Sequence, residues 1–168
     1  IGTAICIHPG SGGSSPNCKP EQYAAFAKTL SVKFNAPIIF TGSGPEKEML
    51  ESVRKMSGLK DALVLAGEKL KHEAAVYEKS RLFIGPSTGP MHLAAAVKTP
   101  VLGLFTGLHG ANPERWGPWR VRSAIIKKGP ENCGRCIARN YIDCECMAEI
   151  TSSDVAAAAG ELLGGADK

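Results

Sequence analysis

Apolar residues in this chain fall into short continuous runs, and between the runs lie stretches with helical spacing. The first run is residues 4–8 (AICIH), and the following "PGSGGSSPNCKP" is too rich in Gly, Ser and Pro to be other than a loop. "PEQYAAFAKTLSVKF" then offers Pro at a helix N1 position, an acid in the first turn, and apolar Tyr23, Phe26, Ala27, Leu30 and Phe34 at helical intervals. The plan repeats. "APIIFTG" reads as a strand, "SGPE" as a turn and 45–57 as a helix. "DALVLAG" leads into a helix over about 70–79, and "RLFIG" into "GPMHLAAAV". "TPVLGLF" is a fifth strand and "VRSAII", near 121–126, a sixth. Beyond 127 the rhythm stops in a cysteine-rich loop at 133–146. "SSDVAAAAGELL" closes the chain as a helix over about 152–163, capped by Ser152 or Ser153 with Asp154 in its first turn.

Strands that are apolar throughout, alternating with helices, imply a parallel sheet covered on both faces. The fold class is therefore α/β, a doubly wound Rossmann-like domain, and 168 residues suffice for one such domain. In the commonest order of that fold, 3-2-1-4-5-6, the first and fourth strands are neighbours and a ligand crevice opens between their C-terminal ends. Here that places "HPGSGGSSP" opposite "GPSTGPMH", the two segments richest in Gly, Ser and Thr.

Composition narrows the chemistry. A formal net charge of +4 is spread along the chain with no Lys/Arg run, so binding to nucleic acid is not suggested. No apolar run approaches the roughly 20 residues of a membrane span, and no charged-then-apolar signal opens the chain, which reads as cytosolic. It begins in a strand without an initiator Met, and we expect a fragment of a longer protein.

Each facing loop leads to a helix N-terminus, where unpaired N–H groups and the helix dipole favour an anion such as phosphate. Gly10, Gly12, Gly13 and Gly89 let backbone approach that anion closely, and Ser11, Ser14, Ser15, Ser87 and Thr88 add hydroxyls. His92, in the first turn after Gly89, could donate a ring N–H to a phosphate oxygen. The plainer alternatives are that Ser87 or Thr88 is an N-cap and that His92 is a packed residue. Glu46, at the end of strand two, is either a carboxylate for ribose hydroxyls or an acid favoured by a helix N-terminus. Neither G-x-G-x-x-G nor G-x-x-x-x-G-K-[ST] is present, and no Asp-x-Asp pair is available to hold a divalent ion on a diphosphate.

"IHPGSGGSSPNCKPEQYAAFA", "FTGSGPEKE", "FIGPSTGPMHLAAAVKTPVLGLF" and "NPERWGPW" resemble, in order and spacing, the C-terminal half of glycosyltransferase family 9, the ADP-heptose:lipopolysaccharide heptosyltransferases. "STGPMHLAAA" is the most specific element, matching the signature D/S-T-G-x-x-H-x-A-A-A. The resemblance implies a GT-B enzyme of two Rossmann-like domains, inverting, and needing no metal or other cofactor for catalysis. The C-terminal domain would bind the nucleotide-sugar donor, ADP-L-glycero-D-manno-heptose in relatives. The N-terminal domain would bind the lipid A-linked acceptor and carry the catalytic Asp base, and only the full-length protein would touch the inner face of a bacterial inner membrane. By position, Thr88, Gly89 and His92 would hold the diphosphate, Ser87 stands where many members have Asp, Gly10 and Ser11 fall in the donor-contacting loop, and Glu46 would meet the ribose. Members usually carry a Lys before a Trp-Pro pair. Here Lys19 occupies the Trp position before Pro20, with Asn17 or Cys18 near the Lys position, so Lys19 is the cation that would replace it.

Cys133-x-x-Cys136 and Cys144-x-Cys146 supply four thiols, enough for a tetrahedral structural Zn site; the alternative is a loop of reduced or disulfide-linked cysteines. "RWGPW" either packs a loop or stacks Trp116 or Trp119 on a nucleobase. Competing with the transferase are a stand-alone nucleotide-binding or regulatory module, a related transferase using another nucleotide sugar, and a Zn-dependent protein built around the cysteines.

Overall fold

The computed structural model describes residues 2–107, 111–130 and 145–164. Six parallel strands, β1 (Ile5–Ile7), β2 (Ile38–Gly42), β3 (Leu63–Ala66), β4 (Leu82–Pro86), β5 (Val101–Thr106) and β6 (Ser123–Lys128), form one sheet in the order β3-β2-β1-β4-β5-β6. Helices α1 (Pro20–Phe34), α2 (Lys47–Ser57), α3 (Leu70–Glu78) and α4 (Gly89–Ala96) connect the first five strands, and a 3₁₀ turn (Gly44–Glu46) precedes α2. Short helices α5 (Pro113–Trp116) and α6 (Glu145–Ala148) and a final α7 (Ser152–Gly164) complete the described chain. The doubly wound order is the expected one, with β1 between β2 and β4 and Ile5 in register with both Ile38 and Leu82.

The period-two alternation of side chains explains why the strands read as unbroken apolar runs. Ile5, Ile7, Ile38, Phe40, Leu82, Ile84, Leu102 and Leu104 share one core with buried residues of α1, α2 and α7, including Phe26, Leu30, Val53 and Val155. Cys6, Ile39, Phe83, Val101 and Phe105 share the other with Tyr77 of α3 and with Met91, Ala94 and Ala95 of α4. The small buried residues of α4 let that helix lie close to the sheet. β3 departs from the pattern because it is an edge strand, leaving Leu63 54% exposed.

Two expected boundaries shift. β6 runs Ser123–Lys128 rather than 121–126, because it pairs with the whole of β5, from Val101↔Ser123 to Thr106↔Lys128. The cap of α7 is Thr151, not Ser152 or Ser153. Thr151 N–H donates to Asp154 Oδ2 (3.0 Å), and Asp154 N–H donates to Thr151 Oγ1 (3.1 Å), a reciprocal capping box. The hydrogen bonds from Thr151, backbone first, hold the Asp154 carboxyl below its ordinary range, and Lys128, 3.4 Å away, adds to the effect. Val155, Ala159 and Leu162, at helical intervals, then bury one face of α7, where a side chain the size of Leu contributes roughly 1.5–3 kcal/mol.

Candidate functional site

Beyond β1 the chain pairs once more with β4, His8 N–H donating to Ile84 O (2.8 Å), and then turns sharply. Ser11 O accepts from both Ser14 N–H (2.9 Å) and Ser14 Oγ (2.7 Å). Gly12 (φ 53°) and Gly13 (φ 76°) occupy the left-handed region inside that turn, which a side chain would strain. Asn17 ties the far end of the loop down, donating to Pro9 O (2.6 Å) while its Oδ1 accepts from Cys18 N–H (2.9 Å) and Tyr23 OH (2.6 Å). The loop is therefore fixed from both ends.

The facing loop leaves β4 at Pro86 and enters α4 at Gly89. Thr88 stands at the N-cap in extended conformation, yet its side chain makes no capping hydrogen bond and reaches only Pro86 O at 3.5 Å. Thr88 thus caps by position alone, its hydroxyl held only by the long contact to Pro86 O. Gly89 is exposed, and the positive end of α4 opens there.

Two cavities meet at this point. One, about 430 Å³, is bordered by His8, Gly10, Ser11, Gly12, Glu46, Glu68 and Glu73; the other, about 310 Å³, by Ser15, Ser87, His92, Ala111 and Trp116. Ser14, Thr88 and Gly89 border both. A larger hollow, about 540 Å³, lies at the N-terminal ends of β2 and β3, bordered by residues such as Ser31, Asn35 and Asp61. It touches neither glycine loop.

The structure brings Gly10, Ser11, Gly12, Glu46, Ser87, Thr88, Gly89 and His92 to the paired cavities. Gly13 and Lys19 border neither. Cys18 is buried, and after it Lys19 emerges exposed as the N-cap of α1, its N–H donating to Gln22 Oε1 (2.9 Å). Glu46 closes a turn and borders the first cavity at the same time. Its Oε2 accepts from Ser43 N–H and Ser43 Oγ (2.8 Å each), closing the 3₁₀ turn, and the same carboxylate lines the first cavity. Gly10 is packed so tightly against it that a Cβ there would overlap the carboxyl group. Trp116 lines the second cavity, away from the carboxylates, whereas Trp119 stands 73% exposed with Arg120 over its ring at 5.3 Å. Cys133, Cys136 and Cys144 lie outside the described residues, and Cys146 is buried on α6. Among the described residues no group of three or more His, Cys, Asp or Glu is placed to hold a metal ion.

Sequence reasoning missed the floor of the first cavity. His8 Nδ1 lies 3.0 Å from Thr41 Oγ1, which lies 3.0 Å from Tyr77 OH, and Tyr77 OH donates to Glu73 Oε1 (2.5 Å). Burial lowers the His8 pKa to about 4, outweighing the opposing pull of Glu46, so the ring is neutral at pH 7. At 4.0 Å the Glu73 carboxylate is too far from His8 for a hydrogen bond. Burial, then the bond to Glu73, pushes the Tyr77 phenol well above its usual range, so it keeps its proton, which it donates to Glu73, while its oxygen accepts from Thr41. One signal was available: a His directly after an apolar strand and directly before a glycine loop.

The profile of glycosyltransferase family 9 (heptosyltransferase) matches residues 4–144. The lipopolysaccharide core heptosyltransferase OpsX of Haemophilus influenzae is 30% identical over 131 residues, which are 76% of this chain and 36% of that protein. The chain spans about a third of the length of the curated relatives it matches. In fold it is similar to Escherichia coli ADP-heptose lipopolysaccharide heptosyltransferase II, with a TM-score of 0.77 at 19% identity over 98% of this chain and 47% of that one. It is likewise similar to the E. coli heptosyltransferase WaaC with ADP, with a TM-score of 0.74 at 15% identity over 95% of this chain and 44% of that one. Among the described residues no helix is long and apolar enough to cross a membrane. The match runs from β1 through both glycine loops and past β6, the whole of the sheet that builds the paired cavities, and on it the chain belongs to glycosyltransferase family 9.

Proposed function

We propose that this chain is the donor-binding half of an inverting, metal-independent glycosyltransferase that moves a heptose from ADP-heptose to the inner core of lipopolysaccharide. The observation that carries the proposal is the meeting of two cavities at Thr88 and Gly89, the start of α4. A nucleotide sugar has three chemically distinct parts in a row, and this arrangement has three places in a row for them. The diphosphate sits at the shared wall, where the helix dipole, the Thr88 hydroxyl and the His92 ring favour its charge. The nucleoside enters the first cavity, where Glu46 accepts from ribose hydroxyls as carboxylates do in other nucleotide sites.

In the reaction an acceptor hydroxyl attacks the anomeric carbon, and ADP leaves with its electron pair. Negative charge grows on the diphosphate in the transition state. Donors already aimed there need no reorganisation, and such preorganised electrostatics is commonly a large share of rate enhancement. The acceptor, a lipid A-linked core sugar, and the catalytic base belong to an N-terminal domain, at the inner face of the inner membrane. The names of the relatives, OpsX as a core heptosyltransferase and WaaC with ADP, support this reading. A transferase using another nucleotide sugar is the second reading. Its support is Ser87, a neutral hydroxyl on the second cavity where many members place Asp.

Titration calorimetry with ADP tests the site. Replacing His92 by Ala removes a hydrogen bond to a charged group, so ADP affinity should fall about tenfold or more. Equal affinity in His92→Ala and wild type would remove His92 from the site. Heptosyl transfer by the longer protein should persist in the presence of a chelator, and its loss would contradict metal independence.

A further inference from the structure

A nucleoside and a sugar ring require different walls. A pyranose shows an apolar patch of C–H groups on its face and hydroxyls around its edge, which an aromatic face combined with small polar groups accommodates. The first cavity is bordered by Glu46, Glu68 and Glu73 and, among the described residues, by no Phe, Tyr or Trp. The second is bordered by the Trp116 indole, three serines, Thr88 and His92, and among the described residues by no carboxylate. At about 310 Å³ it is at the low end of ligand-pocket sizes, room for a single ring.

Ser15 provides an independent observation. It borders this cavity, is 5% exposed, and among the described residues its Oγ has no hydrogen-bond partner. A buried hydroxyl without a partner is uncommon in folded proteins and points to a group absent from the bare chain. Trp116 stands on α5 with the Arg115 guanidinium 5.1 Å from its ring centroid, and Arg115 N–H donates to Asn112 Oδ1 (3.2 Å) at the start of that helix.

We infer that Trp116 and Ser15 form the subsite for the donor's sugar ring, Trp116 against its C–H face and Ser15 bonding one of its hydroxyls. Thr88 and Gly89 mark the boundary with the diphosphate. The inference rests on the donor-binding reading above and adds two residues that bind the transferred sugar rather than the nucleotide.

Calorimetry with ADP and with ADP-L-glycero-D-manno-heptose, on wild type, Trp116→Ala, Trp116→Phe and Ser15→Ala, tests it. Trp116→Ala should weaken ADP-heptose about fivefold or more relative to ADP, and Trp116→Phe should recover most of that ratio, because the aromatic face is kept. Ser15→Ala should weaken ADP-heptose relative to ADP while its thermal midpoint stays or rises, since the variant removes an unpartnered buried hydroxyl. A Ser15 of purely structural importance would instead lower the midpoint and weaken both ligands alike. An unchanged ratio in Trp116→Ala and Ser15→Ala overturns the sugar subsite and leaves the nucleotide site standing. Failure of wild type to bind ADP at all overturns both.

Discussion

His8 offers a quantitative check on the cavity floor. An imidazole titrates near pH 6.5 in an unfolded chain, and burial in the folded protein lowers it to about 4. Between those values the unfolded chain binds a proton that the folded chain refuses. Stability must therefore fall as pH drops below about 6.5, and the loss from this group stops below about 4. From pH 7 to pH 4.5 the linkage relation gives a loss on the order of 2 kcal/mol from this one side chain. Urea unfolding at a series of pH values, on wild type and on His8→Gln, isolates the contribution as the difference between two proteins that differ at this one side chain. Gln is neutral throughout and can still meet Thr41. The difference in unfolding free energy between the two proteins should shift by about 2 kcal/mol over that range, against the wild type at low pH. Parallel pH profiles for the two proteins would refute a neutral, buried His8.

Other expectations concern the loops and caps. Gly10→Ala places a methyl group where the Glu46 carboxyl now lies, so Glu46 must give up its bonds to Ser43; denaturant melts should show a loss of about 1–3 kcal/mol, and calorimetry a weaker affinity for ADP. Thr151→Ala should cost about 1 kcal/mol, whereas Ser152→Ala and Ser153→Ala should each stay within about 0.5 kcal/mol. Equal losses in all three would return the cap of α7 to the serines.

The sheet order could be read from the sequence because burial on both faces makes the inner strands apolar throughout, while Gly, Ser and Pro punctuate their ends. Once the order is known, the meeting of the "HPGSGGSSP" and "GPSTGPMH" loops is a topological consequence. Side-chain placement was legible only where one residue's surroundings are local. Glu46 closes a turn with Ser43 three residues earlier, and its position follows from that. The His8, Thr41, Tyr77 and Glu73 chain joins β1, β2 and α3, and no spacing in the sequence marks residues so far apart as partners. Lys19 is a different case. A position carried over from relatives says where a residue falls along the chain, but here Asn17 ties the loop to Pro9 and α1 starts at Pro20, leaving Lys19 outside both cavities. For α7, Thr151 and Asp154 already spell a capping pair, and the serines between them are better cap residues only by a small margin of propensity.

The central claim is that a nucleotide diphosphate rests where the two cavities join. A crystal structure of the protein with ADP tests it most directly. The diphosphate should lie beside Ser14, Thr88 and Gly89 at the start of α4, with the ribose toward Glu46. ADP bound in the hollow beside Ser31 and Asn35, or with its ribose toward Trp116, would contradict it.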